Sequence, residues 1–245
     1  MQAPPGRDAL FQMVREARHC AALTGAGISV LSGIPDFRGA AGLYRSGSVD
    51  WERCFDSAYF EEDPGFFYTS AGPWIYRADA KEPSAVHRTL ADWEGRGFLK
   101  GIITQNIDML HQKAGSRRVI ELHGSPNIHY CLRCPGIRLG FSPVAALVKA
   151  GALPRCPKCG AVLKPGISFF GDPLPWEARR EAETEAQDAD LLLILGTSLR
   201  VFPAGELPRT TLRRGGSLVI VNNQPTPFDG AALLRLEDLA EVFGG

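Results

Sequence analysis

Two cysteine pairs, Cys131-Leu-Arg-Cys134 and Cys156-Pro-Lys-Cys159, separated by twenty-one residues, constrain this chain more than any other feature. Two C-x-x-C knuckles let four thiolates converge tetrahedrally on one Zn²⁺ ion. Four sulfurs leave no open coordination position, so the expected ion is structural. The surrounding segment, 125–164, lacks the apolar strand runs found elsewhere and reads as an inserted module. Metal binding is therefore expected to supply part of its folding energy. Ordinary reduced cysteines or a redox pair are the competing reading, which this spacing disfavours. Cys20, inside an apolar run, reads as a buried small hydrophobe, and Cys54 has no knuckle partner.

Outside that module the pattern is of short Val/Ile/Leu runs alternating with helical stretches. Apolar residues at Leu10, Phe11, Met13, Val14 and Ala17 predict an amphipathic helix over 8–18, and Val86, Leu90 and Trp93 predict another over 84–96. Strands are expected at "HCAALTG", "GIIT" (101–104), "RVIE" (118–121), "ADLLLILG" (189–196) and "SLVIVN" (217–222). Runs of this kind suit a parallel sheet covered on both faces, an α/β class. The stretch 40–81 is aromatic-rich, broken by Pro64 and Pro73, and reads as short helices and loops.

Composition excludes some classes of function. Lys plus Arg and Asp plus Glu balance at 27 each over 245 residues, so no global field would draw nucleic acid or membrane. No segment approaches the ~20 apolar residues of a membrane span, and the N-terminus lacks a signal-peptide core. A cytoplasmic protein is expected.

Chemistry-bearing residues gather at the expected strand ends. "TGAGIS" supplies Gly25 and Gly27 of a dinucleotide-binding turn, but Val30 occupies the place of the third glycine. A strand followed by small residues and a helix start suits a pyrophosphate, although glycine turns serve many loops. "LILGTSL" places Gly196, Thr197 and Ser198 at another strand end, where α/β sheets bind ligands. "VIVNN" adds Asn222 and Asn223, which could equally form an ordinary turn. In "TQNIDMLHQ", Gln105, Asn106 and Asp108 could reach ribose hydroxyls and an amide, or form a capped turn with Asp108 as helix N-cap. His123, in "IELHG", stands past a further strand end and could accept a proton near neutral pH. His19, His87, His111 and His129 carry weaker cases.

The ordered set "GAGIS…SGIPDFRG", "TQNID", "ELHG", the paired knuckles, "FFG", "GTSL" and "VNN" resembles the sirtuin family of NAD-dependent protein lysine deacylases. The resemblance implies a Rossmann-like parallel sheet with an inserted smaller zinc-binding and helical domain. The larger domain would comprise 1–39, 82–124 and 165–245, and the smaller 40–81 and 125–164. By resemblance, Gly25, Ala26, Gly27 and the loop from Val30 through Asp36, Phe37 and Arg38 would hold NAD, with Phe37 guarding the nicotinamide. Gln105 and Asn106 would address the nicotinamide ribose, and Ile107 and Asp108 its carboxamide. Gly196, Thr197, Ser198, Asn222, Asn223 and the backbone of Leu239 would hold the rest of the dinucleotide. His123 would be the general base, with Asn106 beside it in catalysis.

The implied reaction consumes NAD. The acyl oxygen of a substrate lysine attacks C1′ of the nicotinamide ribose, and nicotinamide leaves. The ribose 2′-hydroxyl, deprotonated through the ribose by His123, then attacks the O-alkylimidate. Water completes transfer to give free lysine and O-acyl-ADP-ribose. Acyl-lysine peptide would bind as an added strand along 164–175 and 198–204, touching Ser168, Phe170, Gly171 and Val201. Ser168 departs from the apolar residue usual in the family.

Members that remove acidic acyl groups carry Tyr-x-x-Arg, whereas this chain has Tyr68-Thr-Ser-Ala71. Alanine offers no cation, so acetyl or another neutral acyl group is the expected substrate, with Arg77 the alternative cation. Mono-ADP-ribosyl transfer to protein from the same NAD site, or a non-catalytic NAD sensor, are the other readings.

Overall fold

The computed structural model describes residues 6–36, 42–43, 49–77 and 80–244. Its strands are β1 (Cys20–Thr24), β2 (Leu99–Thr104), β3 (Val119–Glu121), β4 (Gly124–Tyr130), β5 (Arg138–Gly140), β6 (Lys164–Ile167), β7 (Leu191–Leu195), β8 (Ser217–Val221) and β9 (Leu234–Leu236). They divide into a six-stranded sheet of order β3-β2-β1-β7-β8-β9 and a three-stranded sheet of order β5-β4-β6. The chain itself divides into two compact units, Met1–Pro35 with Glu82–Leu122 and Trp176–Gly245, and Asp36–Lys81 with His123–Pro175.

In the first unit every strand pair is parallel, with Ala22 opposite both Ile102 and Leu193, and Leu193 opposite Val219. The strands run outward in both directions from β1 and β7, so the order reverses there, as in a Rossmann sheet. Cys20, Ala22, Leu191, Leu193, Leu195, Val219 and Val221 point to one face and meet Leu10, Val14, Val86, Leu90 and Trp93 from the helices Arg7–Glu16 and Ala85–Gly95. The intervening strand residues Ala21, Leu23, Leu192, Ile194, Leu218 and Ile220 are also buried. Burial on both faces explains why these runs are continuous rather than alternating.

The helix Trp176–Asp188 escapes a search for apolar periodicity because its buried residues are Ala182, Glu185 and Ala186. Glu185 is fully buried and is held by His19 Nε2 at 2.8 Å and Arg118 at 2.5 Å. β9, a three-residue edge strand, and the helix Leu207–Arg213 are further elements of this unit that the sequence periodicity did not announce.

In the second unit, the helices Trp51–Cys54, Ser57–Glu62, Pro64–Ser70 and Gly72–Ile75 realise the irregular aromatic stretch. Asp50, Asp56 and Asp63 each accept a backbone N–H at a helix start, which is why such short helices hold their ends. Phe55, Phe60, Phe67 and Phe169 pack with ring centroids between 5.1 and 6.0 Å.

The inserted segment is not strand-free: β4 pairs antiparallel with β5 and β6. These strands are short and polar, so they carry no apolar run to read. The expected boundaries at 124/125 and 164/165 also move. His123, Gly124 and 165–175 group with the smaller unit, because β6 pairs with β4 and Phe170 pairs with Phe55 and Ser57. Among the described residues no helix is long and apolar enough to cross a membrane.

Candidate active site

Gly25 and Gly27 are glycines because the turn after β1 passes almost in contact with the end of β7. A Cβ on Gly27 would lie 2.7 Å from the Gly196 Cα, and one on Gly25 would lie 2.7 Å from the Thr197 Cβ. Gly196 reciprocates: its φ is +63°, and a Cβ there would sit 2.6 Å from the Ile28 nitrogen. The Gly25 and Gly27 N–H groups donate to the Leu195 and Gly196 carbonyls at 3.0 and 2.9 Å. These glycines therefore supply close backbone passage, and their own N–H groups are spent on the protein. Val30 needs no glycine because it ends the short helix Gly27–Val30 and faces solvent, 46% exposed.

On the other side of β1 the turn after β2 is tied to the same loop. Gln105 N–H donates to the Thr24 carbonyl at 3.0 Å, and its side-chain amide donates to Thr197 Oγ1 at 2.9 Å. Asn106 Nδ2 donates to the Gly25 carbonyl at 3.1 Å and to Ser29 Oγ at 3.0 Å. Ser29 Oγ in turn donates to Asp108 Oδ2 at 2.6 Å. Gly25, Ser29, Gln105, Asn106, Asp108 and Thr197 thus form one polar cluster at the ends of β1, β2 and β7. Thr197 Oγ1 also accepts from Leu199 N–H at 3.2 Å, holding Leu199 at φ +58°.

Asp108 is buried, and burial raises its carboxyl above the ordinary 3.8, opposed by the Ser29 hydroxyl and the Leu110 N–H. It is not the N-cap of the helix Leu110–Lys113: Met109, at φ +61°, occupies that position. Asp108 nevertheless caps from one residue further out, its Oδ1 accepting from Leu110 N–H at 2.9 Å. Ser29 is the cluster member that sequence reading passed over. The available signal was a hydroxyl in the first turn after the glycine pair.

The remaining expected dinucleotide residues are more dispersed. Asn222 is buried, and its Nδ2 donates to the Gln224 carbonyl at 2.7 Å, so its amide builds the turn after β8. Asn223 is exposed, while Ser198 and Ile107 are half-buried. Leu239 begins the helix Leu239–Phe243 and packs against the core of the first unit. Val201 is half-buried, its carbonyl accepting from Gly205 N–H at 2.8 Å. The Asp36 carbonyl accepts from Leu43 N–H at 2.8 Å within the second unit. Phe37 and Arg38 lie outside the described residues.

Within the second unit, His123 is half-buried just before β4, and its carbonyl accepts from Ser168 N–H at 2.9 Å. Gly124 follows at φ +72°, and a Cβ there would lie 2.1 Å from the Gly166 oxygen, so "HG" is required where β4 meets β6. Phe170 is 46% exposed, while its backbone donates to the Phe55 carbonyl at 2.6 Å and accepts from Ser57 N–H at 3.0 Å. Gly171 takes φ +94°, where a Cβ would meet the Ser57 hydroxyl at 2.7 Å. The turn between them is anchored by buried Lys164, whose Nζ donates to the Asp172 carboxylate at 2.7 Å and the Ile167 carbonyl at 2.9 Å.

Tyr68, read as the tyrosine of the acidic-acyl motif, is buried with its hydroxyl donating to the Leu163 carbonyl at 2.6 Å. Ala71 is fully buried, and Arg77 is exposed.

The four knuckle cysteines come together. All four Sγ atoms lie within 4.8 Å of one another, and Cys131 and Cys159 are 3.6 Å apart. Tetrahedral thiolates at about 2.3 Å from a zinc ion stand roughly 3.8 Å apart, so the donor set fits such an ion. Each knuckle closes through a positive-φ glycine, Gly136 at +84° and Gly160 at +74°. Cys131, Cys134 and Cys156 pack with Leu163 into a small buried cluster that could not hold the segment alone.

Residues 25–203 match the model of the Sir2 family. The chain is similar to the NAD-dependent protein deacetylase of Thermotoga maritima, at 44% identity over 92% of this chain and 90% of the relative. Among solved structures it is similar to a Sir2 variant with a deacetylated peptide and 3′-O-acetyl ADP ribose. The TM-score is 0.88, at 41% identity, over 97% of this chain and 94% of that one. It is also similar to Sir2Tm bound to a propionylated peptide, with a TM-score of 0.85 and 40% identity, over 96% and 94% of the two chains. With the Rossmann-ordered sheet, the glycine crossing and the cysteine cluster, these matches establish that the chain belongs to the Sir2 family.

Proposed function

We propose that this chain is an NAD-dependent protein lysine deacylase that transfers acetyl or another neutral acyl group from lysine to ADP-ribose, releasing nicotinamide. The observation that carries the reading is the Ser29–Asp108–Asn106 cluster. A carboxamide presents both N–H and C=O, and a buried carboxylate next to a free-standing turn backbone is complementary to it. Asp108 with the Ile107 backbone would take the nicotinamide carboxamide, and Gln105 and Asn106 the adjoining ribose. The crossing of Gly25, Ala26 and Gly27 over Gly196, with Thr197 and Ser198, would take the phosphates and the second ribose. Asn222, Asn223 and Leu239 would complete the adenosine end, and Val30 through Arg38 would cover the nicotinamide end.

His123 would accept the ribose 2′-hydroxyl proton. A neutral imidazole is suited to that task near pH 7, and general-base assistance of this kind contributes about 10²- to 10⁴-fold. The exposed Phe170 with Ser168, Gly171 and Val201 would hold the acyl-lysine peptide as an added strand. The deacylase relatives were solved with deacetylated and propionylated peptides, which supports small neutral acyl groups.

Cys131, Cys134, Cys156 and Cys159 would hold one structural Zn²⁺, which ties the two knuckles together when bound. Cytoplasmic residence belongs to the same reading, since reduced thiolates persist there. The deciding experiment is incubation of the purified chain with NAD and an acetyl-lysine peptide, followed by product analysis. O-acetyl-ADP-ribose supports the deacylase. ADP-ribose carried on protein would replace it with the transferase reading, and neither product would leave an NAD-binding sensor.

A further inference from the structure

Beneath the Asn106 turn, the first unit buries two histidines that the reaction does not use. His87 and His111 are 0% and 1% exposed, and their ring centroids are 4.7 Å apart at 57°. One nitrogen of each ring, His87 Nε2 and His111 Nδ1, is buried without a hydrogen-bond partner. Their other nitrogens are engaged, and those engagements fix which atoms carry protons.

His87 is the third residue of a capping box at the start of the helix Ala85–Gly95, a position usually held by Glu or Gln. Its Nδ1 accepts from Ser84 N–H at 3.2 Å, with Ser84 Oγ at 2.7 Å from the same nitrogen. A nitrogen that accepts a backbone N–H carries no proton, so neutral His87 carries its proton on Nε2. The His111 tautomer follows from its other side. Thr24 Oγ1 donates to Thr104 Oγ1, so it has no proton left for His111 Nε2 and must accept from it. His111 is therefore protonated on Nε2, with Nδ1 bare.

The direction of the remaining bonds then follows. His111 Nε2 donates to Thr24 Oγ1 at 3.0 Å, and Thr24 Oγ1 donates to Thr104 Oγ1 at 2.9 Å. Thr104 Oγ1 accepts as well from Asn106 N–H at 3.1 Å. Donor meets acceptor at every step from His111 to Asn106, while His87 packs against the His111 ring.

We propose that His87 and His111 are positioning residues: a neutral packed pair of fixed tautomers, in which His87 backs the His111 ring and His111 braces Thr24 and Thr104 and so sets the backbone of Asn106. The inference rests on the deacylase reading for what Asn106 contacts, the nicotinamide ribose, but not for the tautomers. The brace acts on NAD and not on the acyl peptide, because Thr24 and Thr104 support Asn106, which belongs to the NAD-side cluster.

The test has two arms. In the first, ¹⁵N-histidine NMR of the full chain at pH 7 reads the tautomers directly. Both rings are expected as neutral Nε2–H, and an Nδ1–H or imidazolium form at His111 overturns the proposal. In the second, His111→Leu and His111→Gln are compared for NAD affinity and for the KM of each substrate. Glutamine can donate to Thr24, so H111Q should recover most of the NAD affinity. H111L should lose about tenfold in NAD affinity, with peptide KM little changed. Equal losses on both substrates, or no difference between Leu and Gln, overturns the proposal. If H111L does not fold, Thr104→Val keeps the shape and removes the last link, and wild-type NAD affinity in T104V overturns the proposal in the same way. A wild-type chain that binds NAD yet yields no O-acyl-ADP-ribose would sink the deacylase reading while leaving the NMR and NAD-affinity readouts of this proposal intact.

Discussion

Ser29 Oγ and Asp108 Oδ2 lie 2.6 Å apart, joining the turn after β1 to the turn after β2 through a buried carboxylate. Burial holds the Asp108 carboxyl above its ordinary value, so the folded state disfavours its ionised form more than the unfolded chain does. A raised carboxyl contributes stability below the unfolded value and loses it as pH rises through the folded one. Ionising this buried carboxyl is therefore a cost to the fold. Asp108→Asn should leave the melting temperature at pH 7 unchanged or higher while lowering NAD-dependent turnover by at least about tenfold. A parallel loss of both in thermal melts and product assays would contradict this.

His87 and His111 shift the other way. Burial pushes His87 down to about 4 from an ordinary 6.5, with the Arg88 charge adding to it, and lowers His111 well below 6.5. The unfolded chain binds protons at these sites below 6.5, while folded His87 resists them until about 4 and folded His111 resists them well below 6.5. Stability should then fall as pH falls from about 6.5 to 4. His87→Gln should flatten that slope in urea titrations across the window. An unchanged slope would show that these histidines do not resist protonation.

The crossing of Gly27 over Gly196 leaves no room for a methyl group. Gly27→Ala places a Cβ 2.7 Å from the Gly196 Cα, a clash with backbone that cannot rotate away. Equilibrium unfolding should register a loss of about 1–3 kcal/mol. Gly95→Ala, with nothing within 4 Å of its added Cβ, is the neutral control.

Removal of metal should be felt in the second unit first. Elemental analysis should find one zinc per chain, and Cys134→Ser or strong chelation should abolish it. Proteolysis should then open 125–164 before the Rossmann sheet, since the small cluster around Leu163 has little apolar area of its own. A zinc-free chain with unchanged resistance to protease would contradict a structural ion.

Acyl preference follows from Tyr68 and Ala71. The Tyr68 hydroxyl is committed to the Leu163 carbonyl, and Ala71 carries no charge. On one peptide, kcat/KM should favour acetyl and propionyl over succinyl by at least about tenfold, since Ala71 offers no cation to a distal carboxylate. His123→Ala should keep NAD affinity and lose about 10²- to 10⁴-fold in turnover.

Much of this molecule is legible in one dimension. Leu191–Leu195 and Ser217–Val221 announce buried parallel strands because both faces of each are covered, and the knuckles announce four converging sulfurs because their spacing is local. The small sheet is not legible, since β4 to β6 are polar segments without an apolar run, and β6 meets β4 from more than thirty residues further along the chain. Nor is the helix Trp176–Asp188, whose buried residues are two alanines and an ion-paired glutamate.

The sequence by itself determined the α/β class, the strand ends that carry polar residues, the four converging cysteines and the family. Tertiary structure decided what those residues do for one another. It showed that Gly25, Gly27 and Gly196 are glycine for mutual contact, that Ser29 belongs with Asp108 and Asn106, and that His87 faces His111. The physical reason is that strand and knuckle signals come from neighbours in the chain. Close passage, buried hydrogen bonds and tautomers depend instead on groups that only the closed sheet brings within reach.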